Sequence, residues 1–136
     1  MFRLRHALAV ACLSWGPAVA AQDVAPSLEL VMVEQRGCAY CARWDAEIAP
    51  IYPKTSEAAR APLRRIDLRA PVPDDLTLSR PAVFTPTFVL VLDGAEVDRI
   101  EGYPGPDFFW PLLDEMLAKA HAITQNSAHD DLIAID

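Results

Sequence analysis

The chain has 136 residues, 52% of them hydrophobic, enough for one domain with a real core. Twelve Lys and Arg stand against nineteen Asp and Glu, a formal net charge of −7. That acidic balance argues against nucleic acid and against an anionic membrane as partners.

Residues 1–20 read as a secretory leader. Arg3, Arg5 and His6 make a basic start, Ala7 to Trp15 is mostly apolar, and Ala18-Val19-Ala20 is an A-x-A cleavage pattern. The apolar run falls short of the roughly 20 residues a membrane span needs, so no span is expected in the mature chain. Removing the leader takes away two arginines and no acids, leaving 12 − 2 = 10 basic against 19 acidic residues, net −9. A weaker alternative makes Cys12, after Ala9-Val10-Ala11, a lipid-attachment cysteine; either way it lies outside the active site. Residues 21–27 read as a short N-terminal segment.

Leu28 to Glu34 runs apolar, as a central buried strand does. A Gly turn follows, then Cys38-Ala39-Tyr40-Cys41, then a helix-competent run to about Ala49, with Cys41, Trp44, Ile48 and Ala49 on its apolar side. Trp44 reads as core packing rather than a ligand platform. Pro50 and Pro53 stop or bend this helix, and Thr55 to Ala61 resumes it. Leu63 to Leu68 reads as a second strand, with Arg64 and Arg65 facing solvent at an edge. Residues 70–85 are rich in Pro and Asp and hold at most one helical turn around Asp75 to Leu78. Phe84 to Leu92 is a strand opened by Pro86. Asp93-Gly94 is a hairpin turn signal, and Ala95 to Glu101 returns. The last helix is expected over Asp107 to Ala120, with Leu112, Leu113, Met116 and Leu117 inward and Pro111 in its first turn or at a kink. Residues 121–136 read as a polar, loosely held tail. The main domain is therefore 28–120, ordered β-α-β-(short helix or loop)-β-β-α. Its first two strands should be parallel, its last two antiparallel, and helices should cover both faces.

The chemistry concentrates at Cys38 and Cys41. A helix N-terminus carries partial positive charge and unpaired N–H donors, and the thiolate is the reactive form of cysteine. Cys38 at that end becomes the better thiolate, with Arg36 and Arg43 pushing the same way. Cys41, about one turn on, is placed to attack a mixed disulfide at Cys38. A static disulfide is the bland reading, though so short a loop gains little from closure. Zinc needs four ligands, and beyond the leader the histidines are His121 and His129. Haem attachment needs a His after the second Cys, and Ala42 stands there. A redox-active pair, a structural disulfide and a metal-handling dithiol stay open in that order. Thr85-Pro86 is the other informative dipeptide. A proline at the start of a buried strand removes a ladder bond; on propensity alone its peptide bond would be trans.

The strand-C-x-x-C-helix, the later Thr-Pro before a strand, the Asp-Gly hairpin and the Gly-Tyr before a last helix together resemble the thioredoxin superfamily over about residues 28–120. The implied fold is α/β and thioredoxin-like, a mixed four-stranded sheet with helices on both faces. More narrowly, an exported leader with Arg-Gly-Cys-Ala-Tyr-Cys and Thr-Pro-Thr-Phe resembles the periplasmic thioredoxin-like proteins of bacterial sulfur-oxidation clusters. The resemblance implies Cys38 as nucleophile, Cys41 as resolving cysteine, a cis Pro86, and substrate contacts from Tyr40, Thr85, Pro86 and Gly102. It implies a periplasmic thiol-disulfide oxidoreductase, more a reductase or isomerase than a strong oxidant. Its partners would be a protein disulfide or oxidised thiol, such as a sulfur-carrier protein, and a membrane thiol electron donor. Neither motifs nor resemblance calls for a cofactor or a bound metal. There are departures. Met32 stands where cytoplasmic thioredoxins carry a buried Asp, Gly37 where they have Trp, and Ala46 where they have Pro. Without the buried carboxylate, proton transfer from Cys41 needs another route, through Glu34 or water.

Overall fold

The computed structural model describes residues 26–133, with side chains to residue 130. The expected leader and Cys12 lie outside the described residues. The elements run β1 (Leu28–Glu34), α1 (Ala39–Glu47), a 3-10 turn (Tyr52–Lys54), α2 (Ser56–Arg60), β2 (Leu63–Asp67), β3 (Thr87–Leu92), β4 (Ala95–Glu101) and α3 (Pro106–Ile133). They form one four-stranded sheet in the order β2-β1-β3-β4. β1 pairs parallel with β2 and antiparallel with β3, and β3 pairs antiparallel with β4.

The alternation of side chains along a strand builds two cores. Leu30 and Met32 of β1, with Phe88 and Leu90 of β3, face the helices, where Trp44, Ile48, Tyr52, Phe109 and Leu113 close over them. Val31, Val33, Val89 and Val91 face the other way. Strands apolar on both sides must be covered on both sides. The expectation of helices on both faces is corrected here: among the described residues α1, α2 and α3 all pack on the first face. The second face is covered by the 70–86 segment, through Leu76, Leu78 and Ala82. Pro71, Pro73 and Pro81 keep that segment from being a helix, and of the two alternatives, short helix or loop, the loop is found: a turn at Asp74-Asp75 and a bridge at Thr77. Thr77 bridges Ala95 in parallel, with Thr77 N–H donating to the Gly94 carbonyl at 2.8 Å. Gly94 has φ +80°, and an added Cβ there would collide with the Asp75 carbonyl, so only glycine lets the segment lie this close.

The end of the last helix is also corrected. α3 continues past Ala120 to Ile133. The apolar stripe ends near Ala120, but no Gly or Pro follows Pro111 to stop the helix. Pro111 lies five residues into α3, past the first turn; it forfeits one ladder bond and the helix carries on. Leu112 is corrected as well. The buried stripe is Phe109, Leu113, Met116, Leu117 and Ala120, and Leu112, one position off it, is 36% exposed.

An ion network fixes the covering segment to β4. Arg99 donates to Glu96 from Nε and Nη2, each at 2.6 Å, and to the Arg80 carbonyl at 2.8 Å, while Ser79 N–H donates to Glu96 at 2.7 Å. Both side chains of the pair are 6% exposed. Burial pushes the Glu96 carboxyl up, but hydrogen bonds from Arg99 and Ser79 outweigh it and hold it below its ordinary range. Arg99→Ala leaves a buried carboxylate unpaired and should destabilise the fold by about 3 kcal/mol, read by urea unfolding. Because the folded carboxyl titrates below the unfolded one, the pair's contribution is complete above about pH 4.5 and is lost as pH falls through the folded value. In Arg99→Ala that part of the acid dependence should be missing.

Candidate active site

β1 delivers the chain into a tight turn in which Cys38 N–H donates to the Gln35 carbonyl at 3.3 Å. Gly37, the turn's third residue, has φ +79°, a position that favours glycine. The turn leaves Cys38 as the N-cap of α1, its backbone extended at φ −74°, ψ 107°. Its Sγ accepts the Cys41 N–H at 3.1 Å. A donor aimed at that sulfur stabilises charge on it, and the helix terminus acts in the same direction.

The two cysteines are joined as a disulfide, with Cα atoms 5.2 Å apart. Their surroundings differ. Cys38 is half-buried, while Cys41 is 4% exposed and belongs to the main core with Trp44. An outer sulfur open to a partner and an inner one shielded from it can divide the work of attack and resolution.

The β1–β3 register sets Thr87 against Val33, so Thr85-Pro86 lies at the end of the sheet where the cysteine turn begins. The Thr85–Pro86 peptide bond is cis. Pro86 is buried and Thr85 half-buried. Gly102 N–H donates to the Pro86 carbonyl at 2.7 Å. Gly102 in turn shares a groove of about 390 Å³ with Tyr40, Tyr103, Pro104 and Leu112. The structure therefore brings Tyr40, Gly102 and Pro86 into one continuous neighbourhood. A larger cleft, about 580 Å³, lies at the opposite sheet end beside Ser27, Arg64 and Gly94 and contains no cysteine.

Three features escaped the sequence reading. Tyr103 is buried and donates from its hydroxyl to Glu47 at 2.7 Å, tying the Gly102–Pro104 loop to α1. Arg43 does not face the cysteines; it pairs with Glu47 at 2.9 Å and lies 5.7 Å from the Tyr103 ring centroid. The Tyr103 hydroxyl and then Arg43 hold the Glu47 carboxyl below its ordinary range, while burial and then Glu47 push the Tyr103 phenol up. Leu112 joins the groove rather than the core. The i, i+4 spacing of Arg43 and Glu47 was visible; nothing in the sequence joined either to Tyr103.

A solved structure, the periplasmic thioredoxin SoxS from Paracoccus pantotrophus in its reduced form, is 56% identical to this chain, with a TM-score of 0.68. The match covers 69% of this chain and 99% of that one. The chain belongs to the thioredoxin superfamily. A Malassezia sympodialis thioredoxin also matches, at 15% identity and a TM-score of 0.45 over 66% of this chain and 75% of its own. No family model and no curated protein matches the chain. As a member of that superfamily, with a C-x-x-C pair bonded at the start of a helix, it is a thiol-disulfide oxidoreductase. No described helix is long and apolar enough to cross a membrane.

Proposed function

We propose that this thioredoxin is a periplasmic reductase that keeps a protein thiol reduced, with a sulfur-carrier protein of sulfur oxidation as its substrate class. The observation that carries the reading is the asymmetry of the pair on a chain 56% identical to a periplasmic thioredoxin: Cys38 capping the helix, Cys41 buried behind it. In this reading residues 1–20 are the export leader, cleaved near Ala20, residues 28–120 form the working domain, and 121–136 are an appendage to it.

Cys38 thiolate attacks an oxidised cysteine of the substrate and forms a mixed disulfide. Cys41 then attacks Cys38 Sγ, the substrate sulfur leaves as a thiolate, and the Cys38–Cys41 disulfide remains. A membrane thiol donor returns two electrons to the pair. Thr85 offers backbone N–H and C=O to an extended substrate segment, a strand-addition mode, beside cis Pro86. Tyr40 and Gly102 border the groove in which the segment's side chains rest.

The test is thiol trapping in growing cells: acid quench, alkylation, and separation of the two redox forms. A pair that is mostly reduced at steady state supports the reductase. A pair that is mostly oxidised makes it an oxidase or an inert bridge.

A further inference from the structure

Resolution of a mixed disulfide needs Cys41 as a thiolate, yet Cys41 is 4% exposed. Its proton has to go somewhere. The β1 residues that share its core, Leu30 and Met32, are apolar and fully buried, so no carboxylate on that strand reaches Cys41 from the interior. The outer side differs. A cavity of about 370 Å³ is lined by both cysteines together with Glu34 and Asp45. Arg65 of β2 joins these two acids, donating to Glu34 at 2.7 Å and also to Asp45. The Arg65 guanidinium lies 5.3 Å from the Trp44 ring centroid, which fixes it against α1.

We propose that Glu34 and Asp45, held together by Arg65, accept the Cys41 proton in the resolving step and return it when the pair is reduced. The proposal rests on the thiol-disulfide reading above. One guanidinium balances one of two carboxylates, so the trio carries net −1. An arriving proton brings it to neutrality, which a lone Arg–carboxylate pair could not do without leaving the guanidinium uncompensated. The other charged groups on the surrounding elements are Asp67, the register partner of Glu34 on β2, Arg36 in the turn before Cys38, and Arg43 and Glu47 of α1, which pair with each other. On β3 the facing residues, Thr87 and Phe88, carry no charge. The step balances. Cys41 S–H gives its proton through solvent in the cavity to a carboxylate. The Cys41 thiolate then forms a bond to Cys38 Sγ as the Cys38–substrate bond breaks. The substrate sulfur leaves with the electron pair; two electrons pass from the dithiol to the substrate disulfide.

The experiment uses reduced protein and 5,5′-dithiobis(2-nitrobenzoate) in stopped flow. The first coloured thiolate released reports attack by Cys38; the second reports resolution by Cys41. In the wild type the second rate should be nearly level from about pH 6 to about 8, because a proton acceptor beside the cysteine takes the place of hydroxide. In Glu34→Gln/Asp45→Asn it should be slower by about tenfold near pH 6.5 and meet the wild-type rate near pH 9, where a thiol ionises unaided. Tenfold is below the usual general-base factor because both acids are part-exposed. The first rate should not fall, since removing negative charge beside Cys38 favours its thiolate, and Glu34→Asp should retain the level profile. Three results overturn the proposal: a wild-type second rate that climbs with pH as a free thiol would, a double variant whose profile superposes on the wild type, or a loss equal at every pH. The wild-type profile decides even if the double variant does not fold. Absence of the first release in the wild type would sink the reductase reading instead.

Discussion

Cys41→Ser is expected to turn the protein into a covalent trap. Cys38, the outer sulfur and the one that accepts the Cys41 backbone N–H, keeps its donor because that donor is main chain. Attack on a substrate disulfide therefore proceeds. Serine cannot resolve the product, and multiple turnover of a protein disulfide should fall by about a thousandfold or more. A species of summed mass should appear on non-reducing gels and vanish with dithiothreitol. Cys38→Ser should lose turnover equally and trap nothing, because the remaining thiol is 4% exposed. If Cys38→Ser traps substrate and Cys41→Ser does not, the roles are reversed.

Trp44→Ala should be the most damaging single truncation in the fold. The ring is fully buried and sits between three others, with centroids 5.4 Å from Phe88, 5.9 Å from Phe109 and 6.3 Å from Tyr52. It joins α1, the 3-10 turn, β3 and α3 at one point. Truncation leaves a cavity beneath the helix that carries both cysteines and should cost about 3–5 kcal/mol, a large part of the stability of a domain this size. The midpoint in urea should fall with the slope kept. Trp44→Phe should cost far less, under about 1.5 kcal/mol. It keeps an aromatic ring and removes the indole N–H, a buried donor with no hydrogen-bond partner among the described residues. Equal losses in the two variants would mean that volume is not what Trp44 contributes.

Much of this was legible because it is local. The Asp93-Gly94 turn has φ +51° and +80°, as a two-residue hairpin requires, and β4 begins and ends at the expected residues. Cys38 and Cys41 announce themselves by spacing, and the resemblance, not propensity, pointed to the cis bond at Pro86. What escaped was non-local or negative. That the 70–86 segment covers a sheet face depends on Leu76 and Leu78 meeting valines far along the chain, and a Pro-rich stretch carries no period to say so. The continuation of α3 depends on the absence of a stop rather than the presence of a stripe. Arg64 and Arg65 read correctly as edge residues, but their partners come from elsewhere: the β1–β2 register brings Glu29 and Glu34 near them, while Asp75 comes from the covering segment and Asp45 from α1.

The claim beneath all of this is that the Cys38–Cys41 bond is made and broken in service rather than kept. Its reduction potential measures that directly, by equilibrating the protein in dithiol–disulfide buffers of graded ratio and counting alkylated cysteines by mass. A value above about −300 mV is predicted, within reach of a biological thiol donor. A value below that would identify a bond built to persist, and the reductase would be contradicted.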